Sequence, residues 1–366
     1  MNGSGTTTLE AYLLDRHGIG YDFDPLAVKI AAVKTTLLNV DGKKLTKKVL
    51  GNAKKFLNDQ DCINEAFNTR FDSKTKDFIN YWFFPETQKE LMSLILAIEQ
   101  YKKGTPIREL LEVLYSSIIV TKSGGVSRAR DLAHTRPHLD HNKQPRSTFD
   151  AFEQRILKFS PIISELPNHR YQSVIKQGDA KNLDIDNDSV DLIVTSPPYA
   201  NAIDYMRAHK FSLVWLGRTI PELSSLRSRY IGSETVKNIE QQGLPPFTEG
   251  VLSELASRDR KKEAVLRKYF MEMREVIREM YRVLIPWHYA ILVVGTSTMR
   301  GIDVKTPYCL ADIAGHDIGF DLMGIKSRTL DRDKRMLPFS KKSKDRTTQI
   351  ENRMATEEVI LIQKPK

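Results

Sequence analysis

The run Val190-Asp191-Leu192-Ile193-Val194-Thr195 ends on Ser196-Pro197-Pro198-Tyr199, and this junction constrains the fold more than any other stretch. Aliphatic and β-branched residues favour an extended strand. Two successive prolines supply no amide hydrogens, so a strand ladder cannot continue through them. The chain must turn there, leaving the carbonyls of Ser196 and the prolines to point outward as acceptors. From Tyr171 onward, strand and helix patterns alternate. Residues 173–175, 190–194 and 289–294 read as strands, the second of them buried. Residues 264–284 read as an amphipathic helix and 310–314 as part of another. Two late strands, near 320–328 and 357–363, suit an antiparallel pair. This alternation predicts an α/β layered domain around a mostly parallel sheet.

The first 36 residues carry the same pattern. Gly3-Ser4-Gly5-Thr6-Thr7 reads as a loop, Thr8 to Arg16 as a helix stopped at Gly18, and Gly18 to Asp22 as a strand. Pro25 opens a second helix, with Asp24 as its cap. Residues 37–170 differ. Helical periodicity follows Pro85 (Leu91, Leu94, Ile95, Ile98) and Pro106 (Leu110, Leu111, Leu114, Ile118), and a polar, basic loop runs from Lys122 to Arg146. The reading is a helical insertion at 37–170 that divides a core made of 1–36 and 171–366.

Composition narrows the function classes. None of the 366 residues lies in an apolar run of the ~18 needed for a membrane-spanning helix. The opening residues lack the basic start and apolar centre of a signal peptide, so a cytoplasmic location is expected. Two cysteines cannot form a disulfide framework or a four-cysteine zinc site. His134, His138 and His141 have no cysteine or helical context to complete a metal site, and none is expected. The net charge of +10 favours a polyanionic partner such as nucleic acid.

In open α/β sheets, ligands bind beyond the carboxyl ends of the strands. Ser196, Pro197, Pro198 and Tyr199 occupy such an end. A hydroxyl and a backbone carbonyl suit the protons of an exocyclic amine, and Tyr199 offers a face on which a planar base stacks. A plain Pro-Pro turn would give the same local pattern. Gly3, Ser4, Gly5 and Thr6 form a loop whose glycines allow close backbone approach to a ligand. Asp22, at the next strand end, suits two ribose hydroxyls. Asp179 with Ala180 follows a strand and Gly178, and also fits a simple Asp turn.

These blocks resemble the amino-group DNA methyltransferases, which use S-adenosylmethionine. Ser196-Pro-Pro-Tyr199 resembles their catalytic motif, Asn2 to Ala11 their glycine-rich cofactor loop, and Gly20 to Ala27 the acidic strand end after it. The resemblance covers about 1–36 and 172–366. It implies a Rossmann-like methyltransferase sheet, S-adenosylmethionine as cofactor, and DNA as substrate in a restriction–modification setting with a cognate endonuclease. It also implies that Asp179 accepts from the cofactor's adenine amine. Serine before Pro-Pro leans toward cytosine N4, and Asp or Asn toward adenine N6. Neither Cys62 nor Cys309 stands in a Pro-Cys loop, so the covalent route to cytosine carbon 5 is not expected. An RNA amino methyltransferase and a noncatalytic nucleic-acid-binding remnant are the rival readings.

Ala202 to Gly217 resembles the helix that follows the family's catalytic motif. Tyr205 and Arg207 suit a base-pocket wall and ordinary packing equally, while Trp215 reads as core. Candidate DNA contacts are Arg218, Arg227 and Arg229 in a loop-rich stretch, the nine basic residues of 326–346, and Arg128, Arg130 and Arg136 in the insertion. Pro245-Pro246 reads as a turn, and Ile285 to His288 as the turn ahead of a strand. Met1 falls inside the cofactor loop, whereas the family's loop follows a buried strand. The resemblance therefore implies a central strand beyond these residues, supplied by a longer reading frame or by a separate chain, unless the gene is a decayed remnant.

Overall fold

The computed structural model describes residues 1–119, 121, 125–130, 137–200, 205–233, 243–331 and 356–366. Arg136, His134, Asp204 and the basic residues from Arg332 to Arg346 lie outside this set.

The first segment folds as α1 (Thr6–Leu13), β1 (Ile19–Asp22) and α2 (Pro25–Lys34). The α1 helix ends before Arg16, because Asp15 enters the left-handed region at φ 52°. Gly18 therefore does not stop it. Its role is close packing, since a Cβ there would meet Ser173 Oγ at 2.8 Å. Asp24 caps α2 as expected, accepting from the amides of Leu26 and Ala27.

Six helices follow: α3 (Gly42–Asn58), α4 (Gln60–Arg70), α5 (Ser73–Trp82), α6 (Pro85–Glu99), α7 (Pro106–Ile119) and α8 (Thr148–Ser164). The stripes read from the sequence on α6 and α7 are buried in one core. Within the expected 122–146 loop, β2 (Ala129–Arg130) and β3 (His138–Leu139) form a short antiparallel pair. A buried charge network joins this bundle to α2. Arg108 bonds Glu112 at 2.5 Å and the Ile98 carbonyl at 2.8 Å. Lys29 reaches Glu112 at 2.7 Å and also bonds Glu109.

The rest of the core is β4 (Val174–Gln177), β5 (Val190–Thr195), α9 (Met206–Leu213), α10 (Ile220–Ser228), α11 (Pro246–Arg258), α12 (Arg260–Val283) and β6 (Leu284–Val294). Then come the short pair β7 (Thr298–Met299) and β8 (Ile302–Asp303), α13 (Thr306–Asp312), β9 (Asp321–Thr329) and β10 (Thr356–Gln363). The apolar face of α12, with Leu266, Phe270, Met273 and Ile277, packs in a second core that includes Ala290, Leu292 and Ile360.

Three local expectations are corrected. Pro245 is the N-cap of α11, with Pro246 as its first residue, a position where a missing amide costs nothing. Arg218 to Arg229 is mostly helix, started by a capping box of Thr219 and Glu222. Ile285 to His288 lies inside β6, where Trp287 at φ 67° breaks the register with β5 and donates its amide to Lys364. Trp215 is core, as expected, and with Phe211 it packs among the helices of the bundle. Trp215 meets Phe71 and Phe83 edge-on at 5.5 and 5.4 Å.

The α/β class and the late antiparallel strands are as expected, but the sheet is in two pieces. β1 pairs with β4 in parallel. Separately, the order is β5-β6-β10-β9, with β5 and β6 parallel and the remaining pairs antiparallel. Among the described residues, β1 and β5 each have one unpaired edge. Met1 and Asn2 lie between the carboxyl ends of these strands. The Asn2 amide donates to the Tyr21 carbonyl at 2.8 Å, and Thr195 Oγ1 donates to the Met1 carbonyl at 3.0 Å. β5 is consequently not the buried strand read from its sequence: Leu192 is 54% exposed.

Candidate active site

The gap between β1 and β5 gathers the expected cofactor residues. Gly5, at φ 82°, begins α1, and a Cβ there would meet Ala31 Cβ at 2.5 Å. Ser4 is held through its carbonyl by Lys34 Nζ at 2.9 Å. Thr6 is the first residue of α1. Asp22 shapes the turn: Oδ2 accepts the Gly3 amide at 2.7 Å and Oδ1 the Asp24 amide at 3.0 Å. Both oxygens of Asp22 thus already hold one backbone donor, leaving one lone pair each for a ligand. Asp179 makes a local turn, accepting the Lys181 amide at 3.1 Å. Its neighbour Ala180 packs at the edge of the second core. Burial lowers the pKa of the Met1 amino group, and the negative charges of Asp22 and Asp179 oppose that shift.

The second half of the site is the turn after β5. Ser196 is exposed, Pro197 buried, and Pro198 and Tyr199 half-buried. The turn is braced from behind. The Tyr269 hydroxyl, on α12, donates to the Pro198 carbonyl at 2.7 Å. The Tyr199 hydroxyl donates to Glu357 Oε1 at 2.5 Å. Burial, then the Glu357 carboxylate, push the Tyr199 phenol far above its ordinary value, while the Ser196 hydroxyl pulls it down. Tyr199 is therefore a neutral donor near neutral pH.

Ser196 and Asp22 lie at the same end of the two sheet pieces, bridged by Met1 and Asn2. Tyr205 completes the rim. It is half-exposed, and burial followed by the Asp22 charge raises its phenol. Arg207 lies on α9 and Arg227 on α10. Arg229 stacks over Phe23, the residue next to Asp22, at 4.8 Å. Two contacts of these residues escape the sequence reading. His209 Nδ1 lies 2.7 Å from Asp24 Oδ2, and Glu357 meets Tyr199 from 158 residues away. No local pattern marks either pair.

Elsewhere, Arg128 packs over Phe84 at 4.9 Å and Arg130 pairs with Asp140 at 3.0 Å. No helix among the described residues is long and apolar enough to cross a membrane.

No protein-family model matches the chain. It is 22% identical over 337 residues to the type II methyltransferase M.MvaI of Kocuria varians, covering 85% of this chain and 72% of that one. It is 25% identical over 264 residues to the type II methyltransferase M.BsoBI of Geobacillus stearothermophilus, covering 64% and 50%. The type II methyltransferase M.AvaI of Nostoc is 29% identical over 158 residues, covering 38% and 32%. The chain thus spans nearly three quarters of one curated relative, half of the second and a third of the last. A solved structure of a candidate DNA modification methylase from Thermus thermophilus, in complex with S-adenosyl-L-methionine, aligns at a TM-score of 0.26 and 18% identity over 52% of this chain and 54% of that one. By sequence, the chain is similar to type II DNA methyltransferases, in agreement with the DNA methyltransferase resemblance carried by its Ser196–Tyr199 motif.

Proposed function

We propose that the chain transfers the methyl group of S-adenosylmethionine to the exocyclic N4 amine of cytosine in DNA. One observation carries the reading: Ser196–Tyr199 and Asp22 follow the carboxyl ends of two strands that Met1 and Asn2 bridge. The surrounding residues fit the cofactor. The loop at Gly5 has no room for a side chain, and Asp22 and Asp179, whose charges both act on the Met1 amino group, are acceptors suited to ribose hydroxyls and an adenine amine. S-Adenosylmethionine, when bound, supplies an electrophilic methyl on a sulfonium. Everything else is positioning. Tyr269 already occupies the Pro198 carbonyl, so Ser196 Oγ and the Pro197 carbonyl are the acceptors assigned to the amine. Tyr199 supplies the stacking face, and Tyr205 with Arg207 the rim. Duplex DNA must present its base extruded from the stack. Serine in place of an acid favours cytosine over adenine.

The bundle at 37–170 is proposed as the target-recognition module, since the turn and the cofactor loop need no further residues from it. Arg227 and Arg229 are proposed phosphate contacts. An extended segment paired to the open edges of β1 and β5 is inferred to complete the sheet, supplied by a separate chain or by residues joined to Met1. Lengthening the chain at Met1 by a six-residue Val/Ile strand should then slow amide exchange in β5, and a proline-interrupted control should not. The same exchange in both would refute the sheet completion. A restriction–modification role, with a cognate endonuclease, follows from the same reading.

The deciding experiment is methyl transfer from labelled cofactor to unmethylated DNA, followed by nucleoside analysis. Label on N4-methylcytosine supports the proposal. Label on N6-methyladenine alone overturns the choice of base, and label on transfer RNA in preference to DNA overturns the substrate.

A further inference from the structure

The Tyr199 ring is held at both ends. Its backbone is fixed one residue upstream by the bond from the fully buried Tyr269 to the Pro198 carbonyl. Its hydroxyl donates to Glu357 Oε1 at 2.5 Å. Glu357 is itself held. Its second oxygen accepts from Arg328 Nε at 3.0 Å and Nη2 at 2.6 Å. Glu357 and Arg328 stand directly opposite each other in the register of β10 and β9. The Glu357 side chain is 12% exposed and that of Arg328 57%. A carboxylate pinned by a guanidinium on a sheet cannot follow a moving phenol, and a phenol–carboxylate bond is of the strong, charge-assisted kind.

We propose that Glu357, held by Arg328, is a positioning residue that fixes the direction in which the Tyr199 ring projects toward the target base. This rests on the methyltransferase reading above. The phenol oxygen lies on the Cβ–Cζ axis, so the bond does not stop rotation about that axis. It fixes χ1 instead, the angle that decides whether the ring stands over the Ser196–Pro197 acceptors or swings away. Misplacing a stacking face by about 1 Å costs on the order of a hundredfold in rate when geometry is the main catalytic device. The late hairpin, far from Ser196 in sequence, thereby sets the geometry of the catalytic turn.

The test uses the full chain, Tyr199→Phe, Glu357→Ala, Glu357→Gln, Arg328→Ala and the double variant Tyr199→Phe/Glu357→Ala. Turnover on DNA should fall about tenfold to a hundredfold in Glu357→Ala, with the KM for cofactor unchanged. The double variant should be no worse than the weaker single variant, because both changes remove one bond. Glu357→Gln keeps an acceptor and should recover most of the loss, and Arg328→Ala should fall between. Additive losses, or a loss in Glu357→Ala that appears as weakened cofactor binding, would overturn the proposal. A second readout is independent of turnover. With 3-fluorotyrosine at position 199, the fluorine resonance should shift in Glu357→Gln and broaden in Glu357→Ala. A resonance unmoved by both refutes the contact. A chain that transfers no methyl while the resonance moves refutes the methyltransferase reading and leaves the contact standing.

Discussion

His209 Nδ1 lies 2.7 Å from Asp24 Oδ2, which ties the helix after the Ser196–Tyr199 turn to the cap of the helix after the acidic turn. Burial opposes the Asp24 charge most, but the His209 bond and charge, the Ala27 amide and the Tyr230 hydroxyl outweigh it and lower its pKa. A lowered carboxylate pKa contributes stability above the unfolded value of about 3.9, and that stability is lost as pH falls through the lower folded value. Urea unfolding between pH 6 and the acid limit should therefore show a fall below about pH 4. Asp24→Asn should flatten this fall. An unchanged acid slope in that variant would remove Asp24 from the account.

Gly5 tolerates no side chain. Alanine there would need a left-handed φ of 82° and would bring its Cβ to 2.5 Å from Ala31 Cβ. The conformational and packing costs together are about 2–3 kcal/mol. Gly5→Ala should lower the melting temperature and weaken S-adenosylmethionine binding in calorimetry. Gly3 also has a positive φ, of 54°, but an added Cβ meets nothing within 4 Å. Gly3→Ala should therefore cost less than Gly5→Ala, and the reverse order would contradict the loop geometry.

Ser196 is exposed at the end of β5, so removing its hydroxyl should leave stability within about 0.5 kcal/mol of wild type. Ser196→Ala should still cost roughly 10²-fold in methyl transfer, the usual loss for one oriented polar group at a reacting centre. The affinity for cofactor should stay the same. Single-turnover kinetics with calorimetry on the same sample separates these effects.

Lys29 joins α2 to the bundle through Glu109 and Glu112. Burial opposes its charge, yet the two carboxylates outweigh burial and raise its pKa. Lys29→Met would leave the largely buried Glu112 with Arg108 alone, at a cost of about 3 kcal/mol. Adding Glu112→Gln should restore part of that loss, because an uncharged side chain is cheaper to bury. Urea midpoints of the single and double variants check this, and a double variant with fully additive loss would contradict it.

The sequence by itself determined most local elements and where the chain must turn. Asp24-Pro25, Pro85 and Pro106 set helix starts through fixed dihedrals and side-chain caps, and Val190 to Tyr199 encodes a strand that must end where its amides run out. These are short-range effects, written in neighbouring residues. Only the tertiary structure decided that Phe211 and Trp215 pack into the inserted bundle, that Leu192 stands exposed beside a gap, and that Glu357 reaches Tyr199. Such contacts join residues tens to hundreds of positions apart. Packing of whole elements selects them, and burial is non-directional, so no local pattern encodes which distant side chain will fill a given place.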